Sequence, residues 1–446
     1  MTEPTALRAT ATEIVRRVQA AGFTAYFVGG CVRDQLLGKE PYDFDITTHA
    51  RPDDVEKIFP RTIPVGRQFG VVIVLEGGHP FQIATFRAEA DYRDGRHPET
   101  VRFADAMADA ARRDFTVNGL YFDPITSQLH DWVGGAADLR AKVLRTIGDP
   151  QERFNEDHLR LLRAVRFAAQ LGFEIEPATF AAVKTNAGKI RSVSAERVRE
   201  ELVKLFRPPH AARGLDLLRD SGLMAHVLPE LSATVDCEQS PPHHPEGSVF
   251  NHLRLMLSHL PPDAPETLPW TVLLHDIAKP VTAARHPMNG QFTFYGHEKI
   301  GADMAAEILQ RLKFPRKQTE EIVDCVLHHM QFKDVRQMRK STLRRLLMRE
   351  TFPLELELHR IDCLGSNGNL EHYEFMKAEA AALAEQPALL PPLLTGEDLQ
   401  HLGIAPGPAM GALLAELREK QLADELTDAA QAREWGKTRQ ARDGSH

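Results

Sequence analysis

Two aspartates at alternate positions, Asp43 and Asp45, are the first residues in the chain whose spacing suggests chemistry. On an extended segment they share one face, while Phe44 and Ile46 take the other. Two carboxylates on one face, with no base beside them, suit Mg²⁺ held for phosphoryl transfer. Upstream, the apolar run Ala25 to Val28 stops at Gly29 and Gly30, and Cys31 to Leu37 has helical composition. Glycines without a Cβ let a triphosphate approach the backbone, and the following helix aims its N-terminus at phosphate. Two solvated acids on an edge strand are commoner than a metal site. The glycine pair at this distance reverses that balance.

A second constellation lies in EDHLRLLRAVRFAAQLGF, Glu156 to Phe173. On one helix Glu156, Asp157 and Arg160 are surface neighbours, which in the bland reading is a salt bridge worth ~0.5 kcal/mol. In the sharper reading the Asp acceptor and Arg donor match the Watson–Crick edges of cytosine and adenine. The N3–H of uracil and the N1–H of guanine would clash with the same pair. A third set comprises His252, His275 and Asp276 in LLHDIAKP, His297, His328 and Asp362. This ordered set resembles the ligand pattern of the HD metal-dependent phosphohydrolases. His328 is taken as a ligand with His329 as its alternative, and such donors suit Ni²⁺, Mn²⁺ or Co²⁺ better than Mg²⁺ alone.

Taken together, GGCVRD, DFD, RRDFTVNGLYFDP (Arg112 to Pro124) and EDHLRLLRAVRFAAQLGF resemble the class II tRNA nucleotidyltransferases and the related bacterial poly(A) polymerases. The resemblance is strong over about residues 20 to 230. It implies that Asp43 and Asp45 are catalytic Mg²⁺ ligands. It also implies that Gly29, Gly30, Arg33, Arg112, Arg113, Asp114, Asn118 and Arg163 bind nucleotide, the arginines being natural phosphate donors and Asp114 and Asn118 ribose partners. Glu156 would fix Arg160 while Asp157 and Arg160 read the base. A third acidic ligand is not evident, Glu89 being the candidate. The charged segment FRAEADYRDGRHPETVRFAD reads as a mobile loop, and in the resembling family that loop is linked to the final adenosine.

These residues need elements to hold them. Residues 5 to 21 have helical periodicity ending at Gly22; strands are expected at Ala25–Val28, Asp43–Ile46, Val71–Leu75, Phe81–Thr85 and Gly119–Phe122, with a helix near Asp53. From Asn155 onward the pattern is helical, with Ser194 and Thr395 as N-caps. The expected fold class is α+β. It comprises a small nucleotidyltransferase palm of mixed sheet and helices (1–147), an all-helical neck (148–235), an HD domain (236–375) and a helical tail (376–446).

At 446 residues the chain is long enough for two to four domains. A formal charge of −8 gives no global attraction to nucleic acid, so RNA contact must be local. Two basic stretches could supply it, Arg140 to Arg166 and Lys333 to Arg349. Four scattered cysteines indicate neither a disulfide scaffold nor a zinc ribbon. No apolar run spans a membrane and no signal pattern opens the chain, so a cytoplasmic protein without membrane partners is expected. The expected activity is template-independent addition of CCA to the tRNA 3′ end from CTP and ATP, with an HD phosphohydrolase acting on RNA ends. Within the class the alternative is a poly(A) polymerase or A-adding enzyme. From another class, it is an HD hydrolase or nucleotide sensor whose palm only binds ligand.

Overall fold

Ala11, Ile14, Val15 and Val18 recur at three- and four-residue spacing and are fully buried, making one stripe of the first helix (α1, Pro4–Ala20) apolar. The computed structural model describes residues 4–63, 67–92, 98–240, 246–288, 290–385 and 391–443. The chain folds as two compact units, Met1–Ser232 and Ala233–His446. Among the described residues no helix is long and apolar enough to cross a membrane.

In the first unit the strands are β1 (Ala25–Val28), β2 (Ile46–Thr48), β3 (Thr62–Ile63), β4 (Val71–Glu76), β5 (His79–Thr85), β6 (Arg87–Tyr92), β7 (Pro98–Phe103), β8 (Leu120–Asp123), β9 (Gln128–Asp131) and a short parallel pair, β10 (Val143–Leu144) with β11 (Glu174–Ile175). Seven of them form a mixed sheet ordered β3-β4-β5-β2-β1-β8-β9, in which β1 is antiparallel to β2 and β8, and β2 is parallel to β5. Gly77 and Gly78, both at positive φ, make the two-residue turn between β4 and β5. Helices α2 (Gly30–Leu36), α3 (Pro52–Ile58), α4 (Ala106–Ala111) and α5 (Gly135–Ala141) complete this part. Then follow α6 (Pro150–Glu156), α7 (Arg160–Leu171), α8 (Pro177–Asn186), α9 (Ala195–Leu205), α10 (Ala211–Asp220) and the short α11 (Met224–Val227) and α12 (Pro229–Ser232).

The second unit is helical apart from a small hairpin, β12 (Ala284–Arg285) with β13 (Phe292–Thr293). Its helices are α13 (Val249–Ser258), α14 (Thr267–Leu274), α15 (Lys279–Thr282), α16 (His297–Arg311), α17 (Arg316–His328), α18 (Lys340–Leu347), α19 (Phe352–Leu364), α20 (Glu371–Ala384), α21 (Gly396–His401), α22 (Pro408–Leu422) and α23 (Ala429–Asp443). Every residue of α14 is buried, so it is the central helix of the unit and shows no amphipathic period.

The α+β class and the early strands agree with expectation, and three local readings are corrected. First, β2 starts at Ile46, so Asp43 and Asp45 lie in the extended segment leading into it; Val28 N–H bonds the Asp45 carbonyl at 3.0 Å, and Phe44 and Ile46 still face the core. Second, the segment read as a loop forms the hairpin β6–β7, with residues 93–97 outside the described residues. Its charged alternation hid a strand pair. Third, the helix expected from Glu156 to Phe173 is broken at Asp157–Leu159. Asp157 Oδ1 accepts the Leu159 N–H at 3.0 Å, a local bond that competes with the helical ladder and starts α7 anew. Ser194 and Thr395 both stand at N-caps as expected, Ser194 opening α9 without a side-chain bond and Thr395 forming a capping box with Asp398 on α21.

Four of the seven basic residues from Lys333 to Arg349 form ion pairs inside their own unit. Lys340 and Arg344 pair with Asp424, Arg345 with Glu419 and Arg349 with Glu355. Arg344 is buried and also donates to the Leu422 carbonyl at 2.9 Å, so this run staples α18 to the end of α22. Replacing it removes a charged donor from two acceptors, each such bond contributing ~1.5–3 kcal/mol when buried, and Asp424 is half exposed. Arg344→Ala is expected to destabilise the second unit by about 2 kcal/mol, read as a shifted denaturation midpoint of the full chain; an unshifted midpoint would show that the staple contributes nothing.

Candidate functional site

In the first unit β1 delivers the chain to Gly29, whose φ of 75° and ψ of −126° lie where side chains with a Cβ are strained. The turn opens α2 beside the extended Asp43–Asp45 segment, whose carboxylates face solvent with no ion-pair partner among the described residues. Desolvation in the cleft, then the Asp43 carboxylate, push Asp45 above the usual carboxylate range, while Arg113 pulls it back. A carboxylate raised in this way by the acid beside it fits a divalent cation. A cavity of about 160 Å³ is lined by Asp45, Arg87, Arg112 and Arg113. The side chain of Glu89, the candidate third acid, lies outside the described residues.

Arg112 and Arg113 follow α4. Arg112 Nε donates to Asp109 Oδ1 at 2.8 Å; Arg113 donates through NH2 to Asp109 Oδ2 at 3.2 Å and through Nε to Tyr121 OH at 3.0 Å. Asp114 and Asn118, expected at the ribose, are engaged by protein. Asp114 Oδ1 accepts the Phe115 N–H and Asn118 Nδ2, its Oδ2 accepts Arg163 Nε and NH2 at 2.8 and 2.6 Å, and Asn118 Oδ1 accepts Arg33 NH1 at 2.7 Å. Arg33, Arg163 and Arg166 all sit over the Phe167 ring, at 5.5, 5.2 and 3.9 Å.

Arg160 is buried. NH1 pairs with Glu156 and donates to the Arg153 carbonyl at 3.1 Å; NH2 donates to the Arg112 carbonyl at 3.1 Å. Asp157 is held by Arg197 at 3.0 Å and not by Arg160. The two residues expected to read the base are thus fixed by different neighbours, Arg160 by Glu156 and two carbonyls and Asp157 by Arg197.

In the second unit His252, His275, Asp276 and His297 are buried and converge with Asp362. His252 Nε2 lies 3.1 Å from Asp362 Oδ1, and His275 Nε2 and His297 Nε2 each lie 3.3 Å from an oxygen of Asp276. The last histidine of the set is His329. Its Nε2 is 3.1 Å from His297 Nε2, whereas His328 turns to Asp324 at 3.2 Å and groups with Glu355, correcting the choice of His328. The reason is helical phase: α17 ends at His328 and a 3₁₀ turn starts at His329, so neighbouring side chains diverge. Nδ1 of His275, His297 and His329 lies 2.9, 2.7 and 2.7 Å from the carbonyls of Val272, Phe294 and Val326. A nitrogen facing a carbonyl carries the proton, so each Nε2 offers its lone pair. With their Nε2 atoms 3.1 Å apart, His297 and His329 share either a proton or a metal ion, and burial and the neighbouring imidazoles push His329 down to about 3, a neutral ligand. The residues present fit a divalent metal. An open cavity of about 740 Å³ reaches them past Lys279, Phe294, Tyr295 and Lys333.

Residues 25–145 match the poly A polymerase head domain, 172–234 the probable RNA and SrmB-binding site of polymerase A, and 245–364 the HD domain. The CCA-adding enzyme of Levilactobacillus brevis is 32% identical over 417 residues, which cover 93% of this chain and 94% of that one. This chain belongs to the CCA-adding enzyme family. Against the CCA-adding enzyme of Streptococcus mutans the identity is 44% over 227 residues, 51% of this chain and 56% of that one, so the chain spans about half the length of that curated relative in the match. The crystal structure of the Bacillus stearothermophilus CCA-adding enzyme in complex with CTP superposes with a TM-score of 0.75 at 27% identity, covering 100% of both chains. A CCA-adding enzyme solved with ATP, 18% identical with a TM-score of 0.63 over 97% of this chain and 95% of that one, shares the fold.

Two polar residues of this CCA-adding enzyme family member escaped the sequence reading. Asp109 precedes Arg112 and Arg113 by three and four residues, a helical spacing that could have been noticed, and Lys279 follows Asp276 by three. Among the residues that were named, Asp114 carries a testable charge. Burial pushes its carboxyl up, but Arg163 and the Asn118 amide pull it down to about 2. A folded pKa below the unfolded value of ~3.9 stabilises the fold above about pH 4, a contribution of about 2 kcal/mol lost as pH falls toward 2. Asp114→Asn should therefore flatten the stability profile between pH 4 and 2 relative to the parent chain; a parallel profile would mean that the Arg163 pair adds no stability.

Proposed function

We propose that the chain adds CCA to the 3′ end of tRNA, one nucleotide at a time and without a template, from CTP and ATP. The observation that carries this reading is the pair of unpaired carboxylates, Asp43 and Asp45, set beside the Arg112 and Arg113 guanidiniums with Arg160 anchored to the same α4 terminus. Mg²⁺ bound by Asp43 and Asp45 would activate the primer 3′ hydroxyl and neutralise the leaving pyrophosphate. Arg112 and Arg113 hold the triphosphate as charged donors. Asp157 accepts the amino group of cytosine or adenine while Arg160 donates to the ring nitrogen, so uracil and guanine meet donor against donor. Glu156 and the carbonyls of Arg153 and Arg112 keep Arg160 in that orientation. We place the palm at 1–147, the neck at 148–235, the HD domain at 236–375 and the tail at 376–446, in the cytoplasm.

Asp43→Ala or Asp45→Ala should lower both C and A addition at least about a hundredfold, the scale of several kcal/mol of charge stabilisation, and leave tRNA binding unchanged. The assay is primer extension on tRNA transcripts ending before CCA, after CC and after CCA, with each NTP alone and with CTP plus ATP. Addition confined to the final A would make the chain an A-adding enzyme, and long A tails a poly(A) polymerase; a variant retaining most activity would overturn the metal assignment.

The convergence of His297 and His329 with the Asp276 carboxylate favours a second activity in the same chain, a metal-dependent phosphohydrolase acting on phosphate esters at RNA ends. Its ligands are His252, His275, Asp276, His297, His329 and Asp362, and a bound Ni²⁺, Mn²⁺ or Co²⁺ would supply activated water. Lys279 donates to Asp276 at 2.7 Å and to Gln239 at 2.6 Å, which holds that carboxylate in place. His329→Ala should weaken transition-metal binding at least about a hundredfold by metal analysis and equilibrium dialysis, whereas His328→Ala should retain it. Neither change should affect nucleotide addition, and equal losses from both would remove the distinction.

A further inference from the structure

Asp109 is completely buried on α4 between the hairpin and the cleft. Its carboxylate accepts four hydrogen bonds. Oδ1 takes Arg112 Nε at 2.8 Å and the Arg87 backbone N–H at 3.1 Å; Oδ2 takes Arg113 NH2 at 3.2 Å and Tyr121 OH at 2.5 Å. With its oxygens answered by protein and no exposed surface, Asp109 touches no substrate. Its effect passes through the two arginines it holds, both of which line the cavity with Asp45. Two neighbouring guanidiniums repel, and each can rotate about four side-chain bonds. A buried carboxylate between them offsets the repulsion and selects one rotamer of each. Tyr121 completes the clamp, giving its hydroxyl proton to Asp109 while accepting Arg113 Nε at 3.0 Å. The first residue of β6 is tied to the same carboxylate through its backbone, so the stem of the hairpin and both guanidiniums share one anchor.

We propose that Asp109 is the positioning residue for the incoming triphosphate, presetting Arg112 and Arg113 as a double cation opposite the metal-binding carboxylates. This rests on reading the cleft as the nucleotidyl-transfer site. The ligand class it serves is a magnesium polyphosphate, whichever base is attached. Arg160 is held by the Arg112 carbonyl and not by its side chain. Loss of Asp109 therefore loosens the guanidiniums and leaves the base-reading side in place.

The test is Asp109→Asn, which keeps shape and acceptor oxygen but sets an amide donor against Arg113, with Tyr121→Phe as a milder change at the same clamp. Each is compared with the parent chain in steady-state CTP and ATP addition, pyrophosphate inhibition and thermal unfolding. Asp109→Asn should raise KM for CTP and ATP, and Ki for pyrophosphate, by a common factor of about ten or more, the effect of a lost charged hydrogen bond. KM for tRNA and the CTP-to-UTP preference should stay unchanged, and Tyr121→Phe should shift the same constants two- to threefold, by about the weight of one weaker bond. Pyrophosphate carries neither base nor ribose, so its Ki isolates the phosphate subsite from general damage. An unchanged Ki in a folded Asp109→Asn overturns the proposal, as does a fall in CTP-to-UTP preference in step with KM, which would mean that α4 itself has moved. If Asp109→Asn does not fold, the Ki with Tyr121→Phe decides. Parent protein that adds no nucleotide refutes the transfer reading, and calorimetric binding of magnesium pyrophosphate to parent and variants then judges Asp109 separately.

Discussion

A guanidinium taken out of water must have its donors answered, and the first unit is built around that demand. Arg33, Arg160 and Arg166 are each less than a tenth exposed. Their acceptors come from elsewhere in the fold: Asn118 for Arg33, Glu156 and two carbonyls for Arg160, Glu201 for Arg166 at 2.5 Å. Because Asn118, Glu156, the Arg112 carbonyl and Glu201 sit on four different elements, turn and helix cannot shift independently without stranding a charge. The cleft carboxylates obey the opposite rule. They are left without a basic partner beside a frame in which the buried charges are paired, and that contrast gives the site its appetite for a cation.

The second unit meets the same physics with carbonyls. Three imidazoles spend their Nδ1 protons on the backbone one turn earlier, at Val272, Phe294 and Val326. The bond fixes tautomer and ring direction together, so the helix ends themselves aim the Nε2 atoms. Burial then keeps His329 neutral, while His252, beside Asp362 and Glu246, is driven the other way, up to about 9. A metal would exchange that proton for itself, which couples occupancy of the site to pH.

Much of this was legible because it is local. Glycines before a short helix, alternating acids and apolar residues, and helical periodicity are written within ten-residue windows, and they led to the α+β class and the early strands. What was hidden depends on phase or on partners far away in the chain. Choosing between His328 and His329 requires knowing where α17 stops. The break at Asp157 comes from a side-chain bond that periodicity cannot register, and the hairpin β6–β7 lacks the apolar alternation of a sheet packed on a core. Asp109 stands in an alanine-rich stretch that reads as filler, and the tyrosine that completes its contacts is twelve residues on.

That stretch has a further consequence. Ala111 and Arg112 lend their carbonyls to Arg153 and Arg160, while Asp109, one turn back, grips the side chains of Arg112 and Arg113. One residue inserted or deleted here would swing each carbonyl by about 100° around the helix axis. Alanines such as Ala108, Ala110 and Ala111 could therefore be exchanged for other helix formers that fit the space, whereas their number could not change. The segment is a spacer whose information is carried in its length.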